Sequence, residues 1–198
     1  VDLYVAIHDS HTEVRGTLAC RRNPAGPGGD LVLDGEELAL QKLGVGGAAL
    51  TASCYTFDAD KLTIRNINGA ALPDSFTLET CVRIEPDKNT QLSGLYRSKD
   101  GYFTQCEAQG FRRISPFPDR PDVMARFTCT IEASRERFPQ LLSNGNLVDS
   151  GDAPEGRHWA KWQDPFAKPC YLFALVAAKL DVLEDRFVTH SGRSVRLA

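Results

Sequence analysis

Hydrophobic and polar residues alternate with a period of two along much of this chain. The alternation is clearest over residues 1–7, 76–84 and 123–131, where mostly apolar side chains occupy every second position. Successive side chains of an extended strand point to opposite faces, so this pattern is typical of strands with one buried face. We therefore predict a strand at each of these three segments.

Turn signals separate the predicted strands. Asp34-Gly35 and Asn144-Gly145 supply residues that tolerate the positive φ angles of tight hairpins, and each pair is predicted to reverse the chain. Residues 171–178 are continuously apolar, which favours a strand buried on both faces, although the pattern also fits a short helix. The glycine-rich residues 44–47 lack the Lys-Ser/Thr of a phosphate-binding loop and are predicted to form a loop between strands.

Helical periodicity is weak throughout the chain. No long stripe of apolar residues with a spacing of 3.6 is bounded by a cap and a terminal glycine. Many short strands at regular spacing predict an all-β fold, either a β-sandwich or an open, curved β architecture. At 198 residues the chain has the size of one large β domain, so residues 1–198 are interpreted as a single domain.

The charge balance, the length of the apolar runs and the cysteines predict which partners the chain lacks and in which compartment it resides. Lys plus Arg (23) nearly equals Asp plus Glu (26), so we expect no nucleic-acid partner. The longest apolar run is far shorter than the roughly 20 residues of a membrane helix, and no membrane partner is expected. We interpret the scattered cysteines as buried thiols in a reducing cytoplasm rather than as disulfides. They are Cys20, Cys54, Cys81, Cys106, Cys129 and Cys170.

The sequence contains no recognisable catalytic or metal-binding motif. A hydrolytic zinc site needs three protein ligands, and the H-E-x-x-H spacing that supplies two of them is absent. His8 and His11 are the only close pair of histidines, and in a strand their side chains would point to opposite faces. We interpret them as exposed or loop histidines rather than as metal ligands. A nucleophile elbow, G-x-S-x-G, is also absent. We predict no catalytic residue and no metal ligand, although a cysteine and a histidine that meet only in space stay open.

The segment Thr104–Arg112 contains the most suggestive polar residues. If it is extended, Gln105, Glu107 and Gln109 project from one face, while Cys106 and Ala108 pack behind them. A carboxylate between two carboxamides suits an ammonium group. The alternative is an ordinary solvated strand face.

Two adjacent arginines follow this segment. Arg112 and Arg113 could form an anion site, but adjacent arginines are more often solvated or paired with nearby carboxylates. We expect Arg112 and Arg113 to be either solvated or paired with Asp119 and Asp122.

The same region carries a series of short motifs in a fixed order. They are Gly94-Leu95-Tyr96, Thr104–Arg112, Asp119–Val123, Leu141–Asn146, Gly156–Trp159, Asp164–Phe166, Lys168–Ala177 and Ser191–Arg193. In this order they resemble the N-terminal domain of the bacterial aminopeptidase N family of zinc exopeptidases. The resemblance covers most of the chain and is densest from about Gly94 to Arg193.

The resemblance implies a division of labour between domains of one polypeptide. It implies a saddle-like β-rich domain that leans against a thermolysin-like catalytic domain, where the zinc is held. By position, Glu107 matches the carboxylate that binds the α-amine of a peptide, and Gln105 matches the amide that lines the first substrate pocket. Gln109 departs from the Glu of many relatives, so no direct role is expected for it. The family's G-A-M-E-N and H-E-x-x-H motifs are absent, so this chain alone is expected to be inactive.

A different class of function is the runner-up. The chain could be a stand-alone β-sandwich interaction or carbohydrate-binding module, in which Trp159 and Trp162 stack on a sugar. Their spacing of three places them on opposite sides of a strand, which favours packing instead. A third hypothesis is a domain that mainly supports folding and has little contact with substrate.

Overall fold

The chain is built from short β-strands, as the period of two predicts. The computed structural model describes residues 1–26 and 28–197. The strands are β1 (Asp2–Ile7), β2 (Thr12–Arg21), β3 (Leu31–Asp34), β4 (Ala39–Val45), β5 (Ala48–Ala49), β6 (Tyr55–Phe57), β7 (Lys61–Ile64), β8 (Ser75–Ile84), β9 (Gly94–Ser98), β10 (Gly101–Gln105), β11 (Met124–Ala125), β12 (Thr128–Ser134), β13 (Gln140–Ser143), β14 (Asn146–Ala153), β15 (Arg157–Gln163), β16 (Lys168–Pro169), β17 (Leu175–Ala178), β18 (Asp185–Val188) and β19 (Ser194–Leu197).

Helical structure in the described residues is limited to single turns. They are the 3-10 helices Ala52–Cys54, Pro86–Lys88, Phe111–Arg113 and Cys170–Leu172. The described part of the chain contains no helix that is long and apolar enough to cross a membrane. The prediction of an all-β fold is confirmed.

The largest sheet has eight strands in the order β14-β15-β12-β1-β2-β8-β4-β5. The pairing of β1 with β12 is parallel, whereas the other neighbours are antiparallel. The strands predicted at residues 1–7 and 76–84 are β1 and β8, in the middle of this sheet. Their alternate side chains, such as Val5 and Val82, are fully buried, which explains the alternation in the sequence.

A second sheet, in the order β13-β17-β10-β9, contributes to the same hydrophobic core. Tyr102 of β10 lies 5.4 Å from Phe138, ring centre to ring centre, and both side chains are buried. Trp162 of β15 donates from Nε1 to the Leu141 carbonyl of β13 at 2.9 Å, a bond that joins the two sheets. Three small sheets, β3-β7-β6, β11-β16 and β18-β19, complete the described architecture.

The strand predicted over residues 123–131 is interrupted. Its first part is β11, which pairs with β16, and its second part is β12, which pairs with β1 and β15. The chain changes sheets at Phe127, whose side chain is buried and whose carbonyl accepts from the Asp164 N–H at 2.9 Å. Alternation continues across the break because both parts contribute to the core, so the pattern alone could not locate it.

Both predicted hairpins are wrong. Asp34 ends β3, which pairs with β7, whereas the next strand, β4, pairs with β8 in the large sheet. Positive φ occurs at Glu37 (55°) and not at Asp34-Gly35. Gly145 does have positive φ (86°), but β13 and β14 on either side of it belong to different sheets. Each segment therefore carries the chain between sheets rather than back along one.

The apolar run at residues 171–178 is only half strand. Cys170–Leu172 form a 3-10 helix, in which the Phe173 N–H donates to the Cys170 carbonyl at 3.0 Å, and β17 follows. The glycine-rich residues 44–47 include the turn between β4 and β5, with positive φ at Gly46 and Gly47. The prediction of a loop between strands is confirmed for Gly46 and Gly47, whereas Gly44 and Val45 belong to β4.

Candidate functional site

The segment that carries Gln105 and Glu107 is a turn at the end of β10. The strand ends at Gln105, residues 107–110 form a turn, and the 3-10 helix Phe111–Arg113 follows. The Gly110 N–H donates to the Cys106 carbonyl at 2.8 Å and closes the turn. The prediction of an extended segment is therefore wrong beyond Gln105, and its three polar residues do not form a row along one strand face.

The turn exposes its polar residues and also Ala108. Gln105, Glu107 and Gln109 are exposed, and Gln105 Nε2 donates to the main-chain carbonyl of Glu107 at 3.2 Å. Cys106 is buried as expected, but Ala108 is exposed and does not pack behind the polar side chains. The reversal of the chain after Gln105 turns Ala108 outward, because side chains alternate faces only while the backbone stays extended.

The carboxylate of Glu107 has no partner within the part of the chain that the structure describes. No hydrogen bond or ion pair reaches its side-chain oxygens from residues 1–26 or 28–197. An ionised carboxylate accepts hydrogen bonds through both oxygens. The arrangement can bind a cationic donor such as an ammonium group.

The base of the turn is held by an aromatic cluster. Phe111, which is fully buried, packs edge to face against Phe117, Phe127 and Phe173 at centroid distances of 5.1, 5.7 and 5.3 Å. Such edge-to-face contacts add to the stabilisation from burial. Cys106 lies in the same core, and burial raises the pKa of its thiol to about 12. The exposed carboxylate therefore sits only a few residues from firmly packed side chains.

Gly110 permits a close approach of two strands to the turn. A Cβ at this position would lie 2.3 Å from the Gln105 carbonyl oxygen and 2.9 Å from the Gly94 nitrogen. Gly94 is the register partner of Gln105 on β9. The turn can therefore fold back on β9 and β10 only with glycine at position 110.

Arg112 pairs with Asp119, as predicted. Its Nε donates to Asp119 Oδ2 at 3.0 Å, and its guanidinium also lies 3.6 Å from Asp34. Asp119 accepts a further bond from the Cys170 thiol at 3.0 Å. Asp122 instead pairs with Arg120 at the surface, so its predicted pairing with Arg112 or Arg113 is wrong.

Arg113 is buried and has partners that the sequence did not suggest. Its guanidinium donates to Glu37 at 2.6 Å, to Gln91 at 2.8 Å and to Glu36. These partners lie 22 to 77 residues away in the sequence. No local spacing could have revealed them.

The histidines do not form a metal site. His8 and His11 lie in the loop after β1, as the interpretation of loop histidines predicts, and their rings stack at 4.8 Å instead of pointing to opposite faces of a strand. Burial, with the nearby charge of Arg157, lowers the pKa of His8. His158 is buried, with Nε2 2.8 Å from the Phe138 carbonyl. Among the described residues, no group of three or more His, Cys, Asp or Glu side chains could hold a metal ion.

The cysteines are thiols rather than disulfides. All six are free, and five are buried, whereas Cys20 is half-buried. Burial raises the pKa of Cys129 to about 12. The interpretation of the cysteines as buried thiols is confirmed for those five.

Comparisons with known proteins extend these observations. The family profile described as Peptidase M1 N-terminal domain matches residues 1–172. Aminopeptidase N of Caulobacter vibrioides is 51% identical over 191 residues, which are 96% of this chain and 21% of that protein. Aminopeptidase N of Escherichia coli is also 51% identical, over 84% of this chain and 18% of its own length. The chain thus spans about a fifth of the length of these relatives.

Solved structures show the same fold. A Legionella pneumophila aminopeptidase A in complex with aspartic acid superposes with a TM-score of 0.88 at 35% identity, over 98% of this chain and 23% of that one. An M1 zinc metallopeptidase from Deinococcus radiodurans gives a TM-score of 0.78 at 17% identity, over 98% of this chain and 45% of that one, which supports the fold alone. The profile match and the two half-identical relatives together show that the chain belongs to the Peptidase M1 N-terminal domain family.

Proposed function

We propose that this chain is the domain of a zinc aminopeptidase that binds the N-terminal end of a peptide, while bond cleavage takes place on another domain of the same polypeptide. Two curated relatives are named aminopeptidase N, and a protein of the same fold is named a zinc metallopeptidase. Those relatives are about five times as long as the matched segment, which leaves room for a catalytic domain. The zinc and its ligands belong to that domain in this proposal, and this chain alone is inactive.

The observation that carries the proposal is the exposed carboxylate of Glu107, which lies on a well-packed turn and has no partner among residues 1–26 and 28–197. An aminopeptidase must recognise the start of a peptide, and the mark there is an α-ammonium with a reference pKa of about 8. A charge-assisted hydrogen bond to that group contributes on the order of 1.5 to 3 kcal/mol. Acylated or internal peptide segments lack the ammonium and lose this contribution.

Gln105 is proposed to line the first substrate pocket beside Glu107. Its Nε2 donates to the Glu107 carbonyl at 3.2 Å, so its Oε1 is available to a ligand. A carboxamide offers both donors and an acceptor, which suits the polar main chain of a peptide. Gln109 has no part in this proposal.

The test is substitution of Glu107 in the full-length enzyme. Glu107→Ala should lower kcat/KM for an amino-acid p-nitroanilide roughly ten- to a hundred-fold, because the charge-assisted bond is lost. Glu107→Gln keeps the shape of the side chain without its charge, and its kcat/KM should lie between those of the wild type and Glu107→Ala. Gln109→Ala changes an exposed side chain of the same turn and is the matched control, with kcat/KM expected to stay at the wild-type value.

Zinc content and melting temperature should be measured for each variant, so that lost activity is not confused with lost metal or lost folding. A normal kcat/KM for Glu107→Ala would remove Glu107 from the substrate site. Equal losses in Glu107→Ala and Gln109→Ala would point to general damage of the turn instead.

Exposed apolar side chains support the proposed contact with the catalytic domain. Met124 is 56% exposed and Leu172 50%, and both lie on or next to the small β11-β16 sheet. Phe166, which precedes β16, is 76% exposed. Large apolar side chains exposed near one small sheet support a surface that another domain covers.

We also propose a cytoplasmic location. Six unpaired cysteines, five of them buried, support a reducing compartment, because oxidising compartments favour disulfides. Recovery of the protein in a periplasmic or secreted fraction would contradict this proposal.

A further inference from the structure

We propose that Arg113 is a positioning residue, an inference that rests on the proposed function of Glu107. Through its buried guanidinium, Arg113 fixes the turn at residues 107–110, called here the Glu107 turn, to two distant parts of the chain. Arg113 does not touch the substrate in this proposal. It acts by limiting where the turn, and so the Glu107 carboxylate, can lie.

The turn and Arg113 form one short, continuous unit. The Gly110 N–H donates to the Cys106 carbonyl at 2.8 Å, and the Arg113 N–H donates to the Gly110 carbonyl at 3.1 Å. Two successive main-chain bonds therefore join the residue before Glu107 to Arg113. The Arg113 side chain also approaches β9, since a Cβ on Gly94 would lie 2.7 Å from the Arg113 Cβ.

The guanidinium of Arg113 joins three segments. Glu36 and Glu37, on the link between β3 and β4, accept from its two terminal nitrogens, and Gln91, before β9, accepts a third bond at 2.8 Å. The Glu36 N–H also donates to the Arg112 carbonyl at 3.0 Å. The planar guanidinium can serve several fixed acceptors at once, whereas a lysine ammonium acts as a point charge.

Burial separates Arg113 from ordinary surface arginines. Its side chain is 6% exposed, while those of Glu36 and Glu37 are 38% and 58% exposed. The buried charge is thus the Arg113 guanidinium, which is the group nearest to the turn. The Glu36 and Glu37 carboxylates that bind it retain contact with solvent. Misplacement of a binding group by about 1 Å can cost an enzyme a hundred-fold in rate, so such an anchor can matter without touching the ligand.

A double-mutant cycle in the full-length enzyme tests this role. Arg113→Met keeps an unbranched apolar stem but removes the guanidinium donors, and it should lower kcat/KM for alanine p-nitroanilide roughly ten-fold, with the loss divided between KM and kcat as in Glu107→Ala. In the Glu107→Ala background, the same change should cause little further loss, because there is no carboxylate left to position. Arg113→Lys should lose less than Arg113→Met.

Arg97→Met is the matched control. Arg97 lies on β9 and its side chain is 43% exposed. Its side-chain hydrogen bonds go to Asp87 at 2.9 Å and to the Lys99 carbonyl at 3.1 Å, and neither acceptor belongs to the turn. Its removal should leave kcat/KM unchanged. If Arg113→Met does not fold, the double variant Glu36→Gln/Glu37→Gln removes the charges of the two acceptors and takes its place in the cycle.

The outcomes separate this inference from the proposal on which it rests. A full additional loss for Arg113→Met in the Glu107→Ala background would show a structural role only and overturn the inference, while leaving Glu107 in the substrate site. A normal kcat/KM for Glu107→Ala itself would overturn both. Two results together would support both proposals. The losses in kcat/KM from Arg113→Met and Glu107→Ala would be non-additive, and the two single variants would divide their losses between KM and kcat in the same way.

Discussion

At the scale of single residues, the candidate site depends on contrasts between neighbours. Glu107 is exposed and Cys106, beside it, is buried, and Phe111 lies fully in the core four residues later. Gly110 makes this contrast possible, because a larger residue would collide with the main chain of Gln105. The position of the carboxylate is thus set by close packing beneath it rather than by bonds to the carboxylate itself.

Gly110→Ala tests this dependence on close packing. The added Cβ would lie 2.3 Å from the Gln105 carbonyl oxygen, so the turn must shift, and we expect a loss of about 1–3 kcal/mol of stability. In the full-length enzyme, kcat/KM should fall as well, because Glu107 moves with the turn. Urea unfolding of the chain and anilide hydrolysis by the enzyme would measure the two effects.

Gly156→Ala provides the comparison. Gly156 has a φ of +70° in the turn between β14 and β15, and a Cβ added there would meet no other atom within 4 Å. Alanine there should cost roughly 1–2 kcal/mol through the left-handed backbone alone and leave kcat/KM unchanged. Unaltered activity in Gly110→Ala would contradict a tightly fixed turn.

At the scale of elements, Asp34 connects the end of β3 to the chain that follows the site. Its main chain exchanges hydrogen bonds with Phe117 at 2.9 and 3.0 Å, and its Oδ2 accepts from the Asp119 N–H at 2.9 Å. Burial acts to raise the pKa of Asp34. The bonds from Lys61 and Asp119 and the charge of Arg112 outweigh it, so the pKa is lowered from 3.8. The ionised form is therefore the one that the fold stabilises.

The pH dependence of unfolding tests this connection. Because the pKa of Asp34 is lower in the folded chain than in the unfolded chain, its contribution is complete above pH 3.8 and is lost as the pH falls through the folded value. Asp34→Asn should lower the free energy of unfolding by about 1.5–3 kcal/mol at pH 7. The variant should also lose less stability than the wild type as the pH falls, because it no longer has this carboxylate to protonate. Urea unfolding between pH 7 and pH 2.5 would show both effects.

Asp74→Asn is the matched control for Asp34→Asn. The Asp74 side chain is 91% exposed and lies 3.7 Å from Arg22, a contact that solvent screens. Its unfolding curve should match that of the wild type at every pH. Equal stability of Asp34→Asn and Asp74→Asn at pH 7 would show that the side-chain hydrogen bonds of Asp34 do not stabilise the connection between β3 and the segment after the site.

At the scale of the whole molecule, the described residues form a β scaffold with a carboxylate turn and no metal-binding cluster. Both large sheets share one hydrophobic cluster, so the site and the scaffold are parts of one packed unit. The carbohydrate-binding alternative gains no support from the tryptophans. Trp162 bonds to Leu141 and packs against the core, whereas Trp159 packs over Gly151, so the two rings do not share a platform.

The proposed division of labour between domains predicts that the isolated chain and the full-length enzyme differ in activity. The isolated chain is expected to bind no stoichiometric zinc and to leave alanine p-nitroanilide intact, while the full-length enzyme binds zinc and hydrolyses the anilide. Metal analysis by mass spectrometry and a chromogenic assay at equal molar concentrations would measure this. Stoichiometric zinc together with turnover by the chain alone would contradict the division of labour between domains.

Local patterns in the sequence suffice to predict the all-β class, the central strands β1 and β8, the buried thiols and the family. Period-two alternation is a local property that burial of one strand face imposes, and family motifs are local as well. Pairing of Arg112 with Asp119 was also predictable, because only seven residues separate them.

The points at which the chain changes sheets, the fold of the Glu107 turn and the partners of Arg113 depend on contacts between distant segments. Alternation does not reveal which sheet a strand joins, so Asp34-Gly35 and Asn144-Gly145 have the sequence of hairpin turns but connect strands of different sheets. The prediction of an extended segment over residues 104–112 is wrong beyond Gln105. The chain turns there, and Phe111 packs in an aromatic cluster with residues from distant segments, such as Phe173. Contacts across 22 to 77 residues, such as those of Arg113, exist only once the sheets have paired.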